Sequence, residues 1–407
     1  MMPPRAATGK QILFAWEAGA NLGHIMPLMR LASALEAEGH AASFAVRDLL
    51  AGATALRSNR GPLLQSPIWP PHVHEGNEDG AGGYQDVLAL LGFGDARKLS
   101  AMLRGWHDLL RCIGPDLIVA EHSPALQALA LAMRLPLVVV GTHFTVPPVV
   151  RGRFPPLRGD RTPLLPDRRL FDSLKEALER LGLHPAADNL PGALFPQDAF
   201  ALGLHDLDSY AGFRTAPILR PLEPSPELVP PPDRPRLFAY LGGELPGLAD
   251  WVRALARTGI EVECYLRDAP RALGRFLEAT GAIVHAEPPD LAEVLPRVSH
   301  VVCQGGAGLC QAALLAGRPV AILPLHGEAE RNLASLERLG MAVRLASGGG
   351  DEAHAQALSG FVSDHRLIVA ALSRAAGIAQ RDQPDGLSAI VGRIGACLSA
   401  PASTPAA

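Results

Sequence analysis

The sequence is short of cysteine, of charge and of long apolar runs, and each shortage removes a class of protein. Five cysteines, Cys112, Cys264, Cys303, Cys310 and Cys397, are odd in number and form no C-x-x-C pair, so neither a disulfide framework nor a zinc site is indicated. A reducing cytoplasm is the expected home. Charged residues make up 19% of the chain with a net charge of -4, which implies no preference for nucleic acid. No stretch approaches the ~18 uninterrupted apolar residues of a spanning helix, and Met1-Met2-Pro3-Pro4-Arg5-Ala6 lacks the apolar core of a signal peptide. No Gly-x-Gly-x-x-Gly follows the first expected strand, which argues against a dinucleotide-dependent dehydrogenase. What remains is a 407-residue chain, 48% apolar, of a length that suits two domains with a core each.

The chain is organised around Val301-Val302-Cys303-Gln304-Gly305-Gly306-Ala307-Gly308 and the alanine- and leucine-rich run that follows to Gly317-Arg318-Pro319. β-Branched residues end a buried strand, three glycines in four positions allow a tight turn, and helical spacing then continues until glycine and proline stop it. Such a turn at a helix N-terminus presents free N–H groups and the positive end of the helix dipole, a natural seat for a diphosphate. A second strand over 320–323 leads to Pro324 and Glu328.

Further upstream, residues 11–16 read as a strand, 17–23 as a glycine-containing loop, 24–38 as a helix and 42–46 as the next strand. That βαβ unit places His24 at the carboxyl end of a parallel sheet, where ligands bind in open α/β folds. Strands follow over 115–122, 136–141 and 199–204, with helices over 84–91, 96–112, 124–134 and 169–180. The segments 66–84 and 145–166 are rich in proline, glycine and rings and read as long loops, the second carrying Arg151, Arg153, Phe154 and Arg158. Eight prolines between 217 and 235 mark a stiff linker. Beyond it come strands over 236–241, 262–266 and 282–284, a short helix over 291–296, and helices over 359–376 and 386–398.

Together these blocks resemble the GT-B glycosyltransferases, in particular the bacterial relatives of the UDP-glycosyltransferase family that glycosylates natural products. The N-terminal signature Gly-His-x-x-Pro matches Gly23-His24-Ile25-Met26-Pro27, and in the donor block the glycines, Gly317, Pro319, Pro324 and Asn332 fall at matching spacing. The resemblance implies an α/β fold of two Rossmann-like domains facing across a cleft. An acceptor domain would span 1–216, a linker 217–235, a nucleotide-sugar domain 236–385, and a final helix and tail, 386–407, would return to the first domain.

The same resemblance implies a metal-independent, inverting hexosyltransferase that needs no cofactor beyond a UDP- or dTDP-sugar as co-substrate. His24 would be the general base and Glu121, where the family has Asp, its orienting carboxylate, with His122 a rival partner. Gly242, Gly243, Gln304, Gly305, Gly306, Ala307, Gly308, Glu328 and Asn332 would hold the donor. Trp69, Tyr84 and Phe144 would contact a small apolar or aromatic acceptor. Asp206-Leu207-Asp208 spells a metal motif of a different glycosyltransferase fold and is set aside.

Departures cluster at the donor site: Gln304 replaces His, Leu309 Thr, Ala312 a ribose-binding acid, and Glu328-Ala329 the pair Asp-Gln. Glu244 is an odd neighbour for a diphosphate. Arg318 and Arg331 are candidates to restore positive charge, against the plainer expectation of exposed arginines without that role. A binding or scaffold protein that has lost donor chemistry therefore stays open, and so, more remotely, does a nucleotide-sugar epimerase.

Overall fold

The run Ile12-Leu13-Phe14-Ala15-Trp16 has no polar residue to offer water, so it can form a strand only where both faces of the sheet are covered. The computed structural model, which describes residues 9–19, 22–57, 61–70, 81–157 and 162–399, shows it as a fully buried strand. The chain divides into two units, residues 1–223 with 383–407 and residues 224–382.

In the first unit the strands are β1 (Gln11–Trp16), β2 (Ala41–Val46), β3 (Leu63–Gln65), β4 (Leu117–Glu121), β5 (Leu137–Thr142) and β6 (Ala199–Leu202). They form one parallel sheet in the order β3-β2-β1-β4-β5-β6. Side chains alternate across it. Leu13, Ala15, Ile118, Ala120 and Val139 join one core with Trp106 and Leu126, while Ile12, Phe14, Trp16, Val119 and Val138 join another with Leu28, Leu31 and Leu35.

The helix Gly386–Ser399 belongs to this unit. Ile390 and Ile394 enter the second of those cores, Arg393 pairs with Asp198 at 2.6 Å, and Gln383 donates to the carbonyls of Gly203 and Ile218.

The second unit has β7 (Arg236–Gly242), β8 (Glu261–Arg267), β9 (Ile283–His285), β10 (His300–Cys303), β11 (Val320–Ile322) and β12 (Ala342–Arg344). Its parallel sheet runs β12-β11-β10-β7-β8-β9, which, counted within the unit, is the same order as in the first. In each sheet the order of strand addition therefore reverses between the first and fourth strands, β1 and β4 or β7 and β10. Loops leaving the carboxyl ends of two such neighbours run to opposite sides and open a crevice, the site where doubly wound folds bind ligands.

Residues 359–376, expected as one helix, are two: Gly350–Ser363 and His365–Ala379. Asp364 leaves helical geometry and its carboxylate accepts the N–H of Arg366, capping the second helix. The structure also adds the helices Leu49–Ala55, Leu190–Leu194, Leu248–Arg257, Arg271–Glu278 and Gly327–Arg338 and the short strands β3 and β12 to the elements read from sequence. Most of these are too short for a period to register.

No described helix is long and apolar enough to cross a membrane.

Candidate active site

In the first unit the crevice between β1 and β4 carries a histidine and a carboxylate. A 3-10 turn, Leu22–His24, leads into the helix Ile25–Ala37, whose Pro27 sits in the first turn, where its missing N–H costs nothing. His24 stands at the N-cap of that helix but makes no capping bond. Instead its Nδ1 lies 2.7 Å from Oε2 of Glu121, the last residue of β4. The indole of Trp16 stacks on the imidazole at 5.4 Å between ring centres and fixes its plane. Glu121 is almost wholly buried and His24 keeps 15% of its side chain exposed.

A buried carboxylate on Nδ1 selects the tautomer that carries its proton there and makes Nε2 the basic nitrogen of the ring. Gly19 closes against the same ring: at φ 91° its backbone favours glycine, and a Cβ there would strike the Nε2 edge of His24.

His122 is not the partner of either group. Both its ring nitrogens are buried without a hydrogen bond, and burial, with His24 next to it, pushes its pKa down to about 3. Its backbone is held at φ 39° and its carbonyl accepts the N–H of Ala18.

Glu17, one residue past β1, was not singled out by the sequence reading and proves to be the hub of this edge. Its carboxylate is 1% exposed and accepts four hydrogen bonds: from Trp69 Nε1 at 2.8 Å, Trp106 Nε1 at 2.7 Å, and the N–H groups of Ala125 and Leu126. The last two open the helix Pro124–Ala132, so the carboxylate also meets the positive end of a helix dipole. Burial pushes its pKa up to about 7, against the four bonds that favour the charged form. Ser123 Oγ donates to Glu121 O and Ala15 O, completing the tie between the ends of β1 and β4. An acidic residue directly after an apolar strand was the available signal.

In the second unit the crevice between β7 and β10 holds the glycine turn. Gln304 Oε1 accepts the N–H of Gly242 at 2.9 Å, bridging the two strand ends. Gly305 has φ 83°, and a Cβ on it would press into Ile322 and Ala329. Gly306 then caps the helix Ala307–Ala316, and no side chain occupies that cap. Cβ atoms built on Gly306 or Gly308 would meet nothing within 4 Å, so the space before the helix N-terminus is open. The orphan N–H groups of the first turn face it.

The remaining expected residues are placed as follows. Asn332 is fully buried and its Nδ2 donates to Gly305 O at 2.9 Å, which shapes the turn from behind. Ala329 packs against Gly305, which accounts for alanine there. Glu328 lies in the first turn of the helix Gly327–Arg338, half-buried. Gly243 lets the backbone at Asp268 approach closely, and Ala307 is buried at the start of its helix. Trp69 donates to Glu17 as described, while Tyr84 is fully enclosed, its ring edge-on to Phe154 and Phe195 and its hydroxyl without a partner. Phe144 is 9% exposed. Arg158 lies outside the described residues.

One expectation is overturned. Arg318 is not an exposed arginine: it is fully buried, and its guanidinium donates to the carbonyls of Leu295, Val229 and Pro296. Burial lowers its pKa to about 10. Three carbonyls occupy the donors a diphosphate would need. The acidic pair near 207 is likewise accounted for, since Asp208 is bonded by Arg214 at 2.9 Å in the interior. Among the described residues no three His, Cys, Asp or Glu side chains converge as metal ligands would.

No family profile matches the sequence, and no curated protein matches it either. Solved structures do. The calicheamicin glycosyltransferase CalG4 is similar over 97% of this chain and 100% of its own, at 19% identity and a TM-score of 0.69. The glycosyltransferase SnogD from Streptomyces nogalater aligns over 96% and 100%, at 21% and 0.63. The Streptomyces sp. SF2575 glycosyltransferase SsfS6, complexed with thymidine diphosphate, aligns over 95% and 99%, at 22% and 0.60. At these identities the likeness speaks for architecture: the chain has the GT-B fold of these glycosyltransferases, two Rossmann-like domains with the same strand order in each.

Proposed function

We propose that the protein is an inverting glycosyltransferase that moves a sugar from a nucleoside-diphosphate sugar to a hydroxyl of a small apolar or aromatic acceptor. The observation that carries this reading is the 2.7 Å contact between His24 and Glu121 at the switch point of the first sheet. The uncapped helix N-terminus at the equivalent point of the second sheet accompanies it. The first unit supplies the base and the second the donor seat.

The acceptor hydroxyl gives its proton to His24 Nε2 as its oxygen bonds to the anomeric carbon. Glu121 stabilises the imidazolium that forms. The bond from that carbon to the diphosphate oxygen breaks in the same displacement, which inverts the centre. Negative charge grows on the leaving diphosphate, where the N–H groups at the start of the helix Ala307–Ala316 stabilise it. No step calls for a metal. The thymidine diphosphate in the SsfS6 structure favours a dTDP-sugar over a UDP-sugar.

A scaffold role remains the competing reading, favoured by the apolar Ala312 and Ala329 and by Glu244 beside the donor turn. Calorimetric titration with UDP, dTDP and GDP separates the two. Saturable binding of one nucleotide, lost in Gly306→Val, supports the enzyme; no binding of any of them transfers the case to the scaffold.

A further inference from the structure

With Arg318 enclosed and Gln304 uncharged, the question is which cation meets a diphosphate at the second crevice. The strand register answers it. β7 and β8 pair with Gly242 opposite Arg267, so the last side chain of β8 stands beside the residue whose N–H is bonded to Gln304. A Cβ on Gly242 would land on the Arg267 guanidinium and the Glu244 carboxylate, so the two groups fill the space that this glycine vacates. Arg267 and Glu244 form an ion pair there, with Asp268 Oδ2 a further 3.5 Å neighbour of Arg267 Nε. Arg267 keeps 14% of its side chain exposed and Glu244 51%. The guanidinium is thus held by the fold, and the carboxylate on it is half in water.

Burial acts against the charged form of Glu244, yet Arg267 prevails and holds its carboxyl below the ordinary range. Gln304 Nε2 is buried next to this pair, and its amide adds to the pull that holds the Glu244 carboxyl down.

We infer that Arg267 is the cation that binds the diphosphate of the nucleotide, and that Glu244 is its internal competitor, a carboxylate seated on the guanidinium until a diphosphate replaces it. This rests on the reading of the second unit as the donor seat. A guanidinium matches phosphate oxygens as it matches a carboxylate, with two parallel hydrogen bonds, so one anion can exchange for the other without rebuilding the arginine. The exchange accounts for an acidic residue at a phosphate seat: Glu244 keeps the arginine in place in the empty protein and moves into water when the ligand arrives.

The test is calorimetric titration of the full chain with dTDP, UDP and inorganic pyrophosphate, in Glu244→Gln, Arg267→Gln and the double variant. Glu244→Gln removes the competing charge and should tighten binding by about tenfold, whereas Arg267→Gln should weaken it by about tenfold or more. In the double variant the gain from Glu244→Gln should vanish, because nothing is left to compete for. Circular dichroism checks that Arg267→Gln is folded, and Glu244→Gln, half-exposed, provides an independent reading should it not be.

If the parent binds a nucleotide and Arg267→Gln binds it equally well, or if Glu244→Gln binds it more weakly, the inference is wrong while the donor seat stands. If neither the parent nor Glu244→Gln binds any probe, the donor seat itself falls and takes the inference with it.

Discussion

Replacing Glu17 by glutamine should change how the stability of the protein depends on pH, and the structure gives the size. In the fold the carboxyl titrates at about 7, against an ordinary value of 4.5, with burial as the leading cause. The folded state therefore binds the proton more tightly than the unfolded chain. Stability from this group is fully present below about pH 4.5, falls as pH rises towards 7, and is level above it. The whole shift corresponds to about 3 kcal/mol, most of which falls between pH 5 and pH 8. Glutamine does not titrate. At about pH 5 both side chains are neutral in the fold, but the glutamine NH2 cannot accept from the two N–H groups on its side, so the variant should start below the parent by about 1–3 kcal/mol for each donor left unpaired. By pH 8 the difference should have moved by about 2–3 kcal/mol in the variant's favour, all other groups cancelling in the comparison.

Denaturant unfolding of both proteins across that range, followed by tryptophan fluorescence, measures the difference. The indole N–H resonances of Trp69 and Trp106, both bonded to Glu17, should titrate with it in the parent. Parallel pH profiles, or indole signals that do not move near neutrality, would refute the assignment of a shifted carboxyl at this position.

The remaining predictions concern the dyad and the donor turn. His24→Ala should lower transfer by ~10²–10⁴-fold while leaving nucleotide binding intact, and unchanged turnover would remove His24 from the mechanism. Glu121→Gln should slow transfer less than His24→Ala does; a rate equal to the parent's would mean that the 2.7 Å contact is not used in catalysis. Gly19→Ala adds a methyl at φ 91° and against the His24 ring, so about 1–2 kcal/mol of stability should be lost. Turnover should drop by more than that loss explains, and turnover falling only in step with folded protein would contradict the contact. Gly306→Val projects into open space at an ordinary backbone geometry but puts a β-branched residue at a helix N-cap, so unfolding should shift by only about 1 kcal/mol while nucleotide binding is lost. A folded variant with parental affinity would refute the seat.

What the sequence determined by itself is everything written in local pattern. The apolar runs of β1, β4, β5 and β10 fixed buried parallel strands, Gly305-Gly306 at a strand-to-helix junction fixed the open N-terminus, and His24 ahead of Pro27 fixed the helix that carries it. Such features depend on residues a few positions apart, where backbone sterics and periodicity act directly.

Only the tertiary structure decided which distant groups meet. Glu121 lies 97 positions from His24 and reaches it because β1 and β4 pair at the switch point; the extra methylene of glutamate still closes the contact to 2.7 Å. The two tryptophans on Glu17 come from a loop and a helix 52 and 89 positions away. Arg318 looked like a surface arginine because its neighbours, Gly317 and Pro319, end a helix, yet the fold brings three carbonyls around it. Arg267 lies one residue past the strand expected over 262–266 and carried no sequence signal; register with Gly242 set it beside the donor turn. Charge and burial are properties of the packed neighbourhood, and that neighbourhood is assembled by strand order rather than by sequence distance.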